Sequence, residues 1–396
     1  MRATLAVLFL VNVLNFYDRQ ALGAVLEPLR HEFHLSDQQL GAIPTAFVIV
    51  YALAGVPLGR LADRWSRKRL LAIGVSVWAA LTALGAASTG YAMLFMTRLG
   101  VGVGEAVCAP AATSWIGDIV RPHGRSRALA GFMMAVPVGI MLSFVVSGPA
   151  AQAFGWRTAL GLAAAPALLL VPALLLLPEP LRVNKSAGQM TAVSLLRIPA
   201  LWWITLSGAM LNFILYSFSY FIAAFLTRFH GMSVAEAGVW SGLGSGVAGM
   251  AGALTVVAVG GRLRFAGAAA LLATPLAWVA IRLPRGEAHG AIALLMLAYG
   301  LWQMYYGPVY AAIQDIVPPE LRATAMSMYF LAMYLCGGAF GPLILGMLSD
   351  RFARIAGGGE AGRAAGLHDA MYVIPLMSAA LVVVLWVGDR AARRYE

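Results

Sequence analysis

The sequence predicts an all-α integral membrane protein of twelve spanning helices arranged as two six-helix pseudo-repeats. Three observations carry that prediction. Of 396 residues, 61% are hydrophobic and only 11% charged, with a mean hydropathy of +0.79, far outside the range of soluble domains. Apolar blocks of about twenty residues alternate with short polar breaks; lipid offers the backbone no hydrogen bonds, so blocks of this length must be helices. Finally, "DIVRPHGRSRALA" from Asp118 is echoed by "DIVPPELRATAMS" from Asp315, with Asp, Ile, Val, Pro, Arg and Ala recurring at a constant offset of 197 residues. Internal repeats of this kind underlie many multi-span membrane folds.

The expected spans are 3–26, 38–58, 70–89, 92–117, 127–151 and 158–178 in the first half. In the second they are 200–226, 236–259, 265–282, 289–314, 324–347 and 370–388. The long polar break near the middle divides an amino-terminal bundle (1–178) and a linker (179–199) from a carboxy-terminal bundle (200–396). The first block is too long for a cleavable signal and lacks a small-residue cleavage site, so it reads as a retained span. Cys108 and Cys336 fall mid-helix in opposite halves and are expected to be buried apolar side chains, with neither a disulfide nor a metal behind them.

The formal charge of +11 sets topology and is no nucleic-acid signal. Eighteen basic residues lie on the side of the linker, including Arg60, Arg64, Arg67, Lys68, Arg69, Arg182, Lys185 and Arg262, against eight on the opposite side, among them Arg30, Arg157, Arg228 and Arg363. Both termini are therefore expected in the cytoplasm. We call these the linker side and the far side.

"GRLADRWSRKR" (59–69) joins the second and third spans. Gly59 is expected to permit a close approach and a tight turn. Asp63 is expected to meet a helix N-terminus or a neighbouring arginine, and with Arg64, Arg67 and Lys68 to form a gating loop that latches the linker side. The pattern resembles the helix 2–3 signature of the major facilitator superfamily, whose fold has twelve helices in two pseudo-repeats. The corresponding "GGRLRF" (260–265) keeps Gly261 and Arg262 but lacks the acid, so no second latch is expected.

Four charges lie well inside expected spans: Asp18 and Arg19 in the first, Arg98 and Glu105 in the fourth. Each costs about 2.5–3.5 kcal/mol on insertion scales, so each is expected to be paired or cavity-facing. Neighbours on a helix point about 100° apart, so Asp18 and Arg19 cannot neutralise each other. Arg98, Gly102 and Glu105 share a face, and Gly100, Gly102 and Gly104 leave room for a partner helix or a ligand. The two helices run in opposite directions, which lets each acid meet the other helix's arginine. Arg19 also continues a polar stripe with Asn12 and Asn15. Burial disfavours an ionised carboxylate while a nearby arginine favours it. An anion that claimed the arginine would then promote protonation of the acid.

"NFYDRQALGAVLEPLRHEFHLSDQQLGAI" (15–43), "TRLGVGVGEAVCAPAATSWIGDI" (97–119) and "AVPVG" (135–139) resemble the Spinster-type branch of that superfamily. The resemblance covers five helices well and is general beyond residue 200. It implies transport of amphiphilic, often anionic, lysolipid-like molecules, with charge work at Asp18, Arg19 and Glu105. Phe16 stands where that branch has Tyr, and Ser143 where it has Gly. Organic-anion symporters of the same superfamily carry a similar first helix and imply a carboxylate/proton symporter instead.

In the second half, Asn212, Tyr216 and Tyr220 step along the seventh span at a spacing of four, and Tyr299, Gln303 and Tyr306 share a face of the tenth. Aromatic residues with a polar tip suit an amphipathic ligand. With Asn15, Arg19 and Glu105 they form the expected substrate-binding set. The expected function is a monomeric secondary transporter working by alternating access, whose partners are substrate, protons and membrane lipids. The rival of another class is a non-transporting sensor or scaffold. All six histidines sit in or beside loops, and the sequence holds neither a nucleophile constellation nor a phosphate-binding loop. Neither an enzyme, a metal, a cofactor nor ATP-driven pumping is expected.

Overall fold

The computed structural model describes residues 1–179, 195, 197–254, 261–318 and 321–393, and every regular element among them is helical. α1 (Arg2–Ala24) and α2 (Leu26–Phe33) continue one another across Val25. α3 (Asp37–Arg64) begins with a reciprocal cap: Ser36 Oγ accepts from the Gln39 amide at 3.2 Å, and Gln39 Oε1 accepts from the Ser36 amide at 2.9 Å. α4 (Arg67–Ala86) starts on the Ser66 hydroxyl, which accepts from the Arg69 amide. α5 (Tyr91–Glu105) and α6 (Cys108–Ile119) form one rod broken just after Glu105. α7 (Pro122–Met133) and α8 (Ala135–Phe154) form another, and α9 (Trp156–Leu176) completes this half.

The second half contains α10 (Pro199–Arg228), α11 (Val234–Leu254) and α12 (Arg262–Arg282). α13 (Ala288–Gln303) and α14 (Tyr306–Ile316) follow. α15 (Arg322–Ala332) and α16 (Phe340–Ile355) are joined by a π-helical turn, Met333–Gly338, closed by the Ala339 amide on the Tyr334 carbonyl at 2.8 Å. Pro342 has no N–H to offer the Gly338 carbonyl, so regular bonding is already broken one turn on. α17 (Gly359–Met371) and α18 (Val373–Ala392) come last.

Among the described residues, nine helical stretches are long and apolar enough to cross a membrane. The spans expected at 3–26, 236–259 and 289–314 correspond to α1, α11 and the α13–α14 rod, which are helical but outside that set. Linker residues Arg182 and Lys185 lie outside the described residues. Cys336 corrects an expectation: it is exposed, whereas Cys108 is buried. Gly59 corrects another, because it lies inside α3 and an added Cβ would meet only Pro110 at 3.8 Å, so no tight turn or close approach depends on it.

The halves meet through small residues, the usual means of bringing helices together where lipid is as apolar as leucine. A Cβ on Gly41 of α3 would run into the Pro342 carbonyl of α16, and one on Gly346 into the Asp37 carbonyl. Between α8 and α11, a Cβ on Gly148 would sit 3.0 Å from the Gly238 Cα. Both crossings lie toward the far side.

Candidate functional site: two buried ion pairs and a far-side clasp

Asp18 and Arg19 leave α1 in different directions and find separate partners on α5. Arg98 Nη1 donates to Asp18 Oδ1 at 3.4 Å, and Thr82 of α4 donates to Asp18 Oδ2 at 2.8 Å. Arg19 Nε donates to Glu105 Oε2 at 2.6 Å. Each acid therefore meets the other helix's arginine, as the antiparallel geometry predicted. All four side chains are at most 6% exposed. Both Asp18 oxygens are engaged, whereas Glu105 Oε1, like Nε and Nη2 of Arg98, is buried without a partner among the described residues.

The α5 glycines serve helix packing. A Cβ on Gly102 would meet the Phe47 carbonyl of α3 at 2.9 Å, and one on Gly104 the Trp78 amide of α4 at 2.9 Å. That closeness lets α3 bring aromatic rings to Arg19, whose guanidinium carbon lies 4.1 Å from the Tyr51 ring centroid, 4.8 Å from Phe16 and 5.4 Å from Phe47. Such stacking favours a cation wherever water is sparse. Phe16 thus contributes its ring face to Arg19. Ser143 is wholly buried and its hydroxyl has no partner among the described residues.

From Arg19 an aromatic path crosses into the second half. Tyr51 stands edge-on to Tyr334 at 5.9 Å, and Tyr334 to Tyr216 at 6.3 Å. All three tyrosines are half-buried. Tyr51 and Tyr334 were not singled out in the sequence, where uncharged rings on apolar helices carry no distinguishing signal. The other second-half candidates are spread out. Asn212 Nδ2 donates to the Gly208 carbonyl at 3.1 Å and to Tyr306 Oη at 3.5 Å. Tyr299 stacks on Phe218 and accepts from Gln303 Nε2 at 3.3 Å. Tyr220 is only 4% exposed, with its hydroxyl buried and unpartnered among the described residues. Asn15 is buried with its amide nitrogen unpartnered among the same residues, while Asn12 donates to the Phe132 carbonyl at 3.1 Å.

Of the gating-loop residues, Arg67 and Lys68 can be followed. The side chains of Asp63 and Arg64 lie outside the described residues. Arg67 pairs with Asp118 at 2.5 Å, and Lys68 donates to the Leu175 and Leu177 carbonyls at 3.1 and 3.2 Å. A matching pair, Arg262 with Asp315 at 2.7 Å, occurs in the second half, on the aspartate that repeats Asp118. The repeat extends to Arg125 Nε on the Val120 carbonyl at 3.1 Å and Arg322 Nε on the Val317 carbonyl at 3.3 Å.

A second charged constellation, unrecognised in the sequence, joins the halves at the far side. Arg228 of α10 reaches Glu27 at 2.5 Å and Asp37 at 2.7 Å. Ser349 of α16 also donates to Asp37, at 2.6 Å. Arg30 holds Glu27 at 3.1 Å and grips Glu360 of α17 with two bonds of 3.0 and 2.7 Å. Asp350 of α16 accepts from the first amides of α3, Asp37 and Gln38, at 3.0 and 2.8 Å, where a helix N-terminus attracts an anion. Among the described residues, every ion pair between the halves lies on the far side, while the linker-side pairs stay within one half. The molecule is closed at the far side. The Arg30 hydrogen bonds hold the Glu360 carboxyl below its ordinary value, against a smaller opposing effect of burial.

The Major Facilitator Superfamily model matches residues 8–342. An MFS-type efflux pump of Mycolicibacterium smegmatis is 34% identical over 99% of this chain and 93% of its own length. Protein spinster homolog 1 of Xenopus tropicalis is 27% identical over 88% of this chain and 73% of its own. Among solved structures, a bacterial homolog of the human lysosomal transporter Spinster, in an inward-facing and occupied conformation, superposes with a TM-score of 0.88 at 25% identity, covering 99% of this chain and 97% of that one. A D-xylose–proton symporter shares the fold at a TM-score of 0.78, 17% identity and 97% coverage of both chains. This chain belongs to the major facilitator superfamily, as a multi-pass membrane transporter of Spinster type that works by alternating access.

Proposed function

We propose that the protein is a proton-coupled carrier of an amphiphilic, anionic, lysolipid-like molecule. In this reading halves 1–178 and 200–396 rock about the central site, and the linker side faces the cytoplasm. One observation carries it: Glu105 shares one carboxylate oxygen with Arg19 and leaves the other without a partner. Arg19 is the member of the four-charge set that also touches the aromatic path to Tyr334. An anionic headgroup arriving along that path competes with Glu105 for the guanidinium. Once deprived of Arg19, a buried carboxylate is far costlier as an anion than as an acid, so it takes up a proton. Anion and proton then occupy the site together as a neutral load, and loss of either restores the Arg19–Glu105 bond. Asp18, Arg98 and Thr82 hold α1 against α4 and α5 while this exchange takes place. The apolar part of the cargo lies against Tyr51, Tyr216 and Tyr334, with Asn212 and Tyr306 further along the second half. Because the load is neutral the membrane potential does no net work on it, and one pH unit supplies about 1.4 kcal/mol, enough for about a tenfold gradient of the anion.

The test is flux of labelled lysolipids and of simple organic anions in proteoliposomes, with and without a pH gradient, for wild type and Glu105→Gln. Stimulation by the gradient is expected in wild type and should vanish in the variant while exchange without a gradient persists. Stimulation that survives Glu105→Gln undiminished overturns the assignment. Preference for simple carboxylates over lysolipids favours the organic-anion symporter.

A further inference from the structure

A groove of about 460 Å³ opens between α4 and α9 of the amino-terminal half. Trp65, Arg69, Ile73, Val77, Val171 and Leu175 line it. Its walls are apolar and turned outward, with Ile73 50% and Leu175 45% exposed. In a membrane-spanning chain, such surface meets hydrocarbon. The Ser76 hydroxyl in the wall donates to the Ala72 carbonyl of its own helix at 2.9 Å, so a hydrocarbon chain lying here strands no polar group. From Arg69 to Val77 the groove follows α4 for roughly 12 Å, close to the hydrocarbon depth of one leaflet, about half of 30 Å.

The chemistry changes at the linker-side mouth. Glu179 accepts from the Ser66 hydroxyl and the Arg67 amide, both at 2.5 Å, and so spends its charge on the start of α4. Arg67 is taken by Asp118, and Lys68 by the final carbonyls of α9. Arg69 is exposed and has no acidic partner among the described residues. Trp65, 41% exposed, stands on the same mouth, an aromatic of the kind that settles at headgroup depth. An apolar slot one leaflet deep therefore ends at a guanidinium with no acidic partner among the described residues.

We propose that this groove binds an anionic phospholipid of the linker-side leaflet, one acyl chain lying between α4 and α9 and the headgroup phosphate on Arg69. The bound lipid splints α4 to α9 beside the first turn of α4, which carries Arg67 and Lys68. The site does not depend on the transport mechanism proposed above.

Native mass spectrometry of the full chain in detergent tests it, using an equimolar mixture of phosphatidylglycerol and phosphatidylcholine with identical dioleoyl chains. One saturable phosphatidylglycerol is expected, favoured about fivefold by a single basic residue at headgroup depth. Arg69→Gln should bring the two lipids to parity, and Ile73→Trp, which fills the slot, should weaken the first bound lipid of either kind. Circular dichroism and thermal unfolding establish that both variants fold. Equal binding of the two lipids by wild type overturns the proposal. So does a preference that survives Arg69→Gln, or a first bound lipid indifferent to Ile73→Trp.

Discussion

The two charged regions of this transporter are built on opposite plans. In the centre, each base has one acid and all four groups belong to the first half. At the far side the charges are shared: Arg228 serves Glu27 and Asp37, Arg30 serves Glu27 and Glu360, and three of these four pairs cross from one half to the other. A pair confined to one half can change partners while the halves stay still. A clasp that crosses the halves must break when they separate. The first arrangement suits reading the cargo, the second suits holding a conformation, and membrane burial makes both costly to leave half-made.

Several changes would break or sharpen that contrast. The largest effect is expected from Arg228→Ala, which takes the shared guanidinium from Glu27 and Asp37 and leaves them only Arg30 and Ser349. Removing one partner of a buried pair typically costs about 3–5 kcal/mol, so the far-side-closed population should collapse. Distances between spin labels at positions 38 and 351, in a chain with both cysteines replaced, should lengthen. Asp18→Asn removes the charge while keeping an acceptor for Arg98 and Thr82, and should cost about 1.5–3 kcal/mol. Thermal unfolding should fall while the pH-gradient dependence of flux stays as in wild type; a changed gradient dependence would make Asp18 a second exchanging acid.

Gly346→Leu should push α16 off α3, at about 1–3 kcal/mol for overpacking, opening the far side with every ion-pairing group intact. An unchanged label distance would show that the crossing has slack. The smallest effect is expected at Glu360, whose side chain is 67% exposed. Its carboxyl lies below the ordinary 4.5 in the clasped state. Its contribution is therefore complete above that value and lost as pH falls through the lowered one. Far-side acidification through that range should loosen the clasp slightly, and Glu360→Gln should abolish that increment.

The sequence made the central pairs legible because a charge within a twenty-residue apolar run has few explanations, and helical geometry then restricts its partners. The clasp stayed hidden for the converse reason. Glu27, Arg30, Asp37 and Arg228 flank apolar runs, where charges ordinarily set topology, and only the packing of α3 against α16 and of α10 beside α2 brings them together. Tyr334 was hidden because a π turn decides its direction, and no local residue pattern announced that turn. Gly59 misled through its motif: its position was read as a turn, yet α3 runs on to Arg64. The repeat read from Asp118 and Asp315 was more informative than it first looked, since it marks both acids that receive the loop arginines.

Proton uptake on binding, measured by calorimetry of the purified protein in buffers of differing ionisation enthalpy, tests the central claim most directly. Titration with an anionic lysolipid should take up close to one proton per bound molecule in wild type and none in Glu105→Gln. Binding without proton uptake in wild type, or full uptake persisting in the variant, would contradict partner exchange at Arg19.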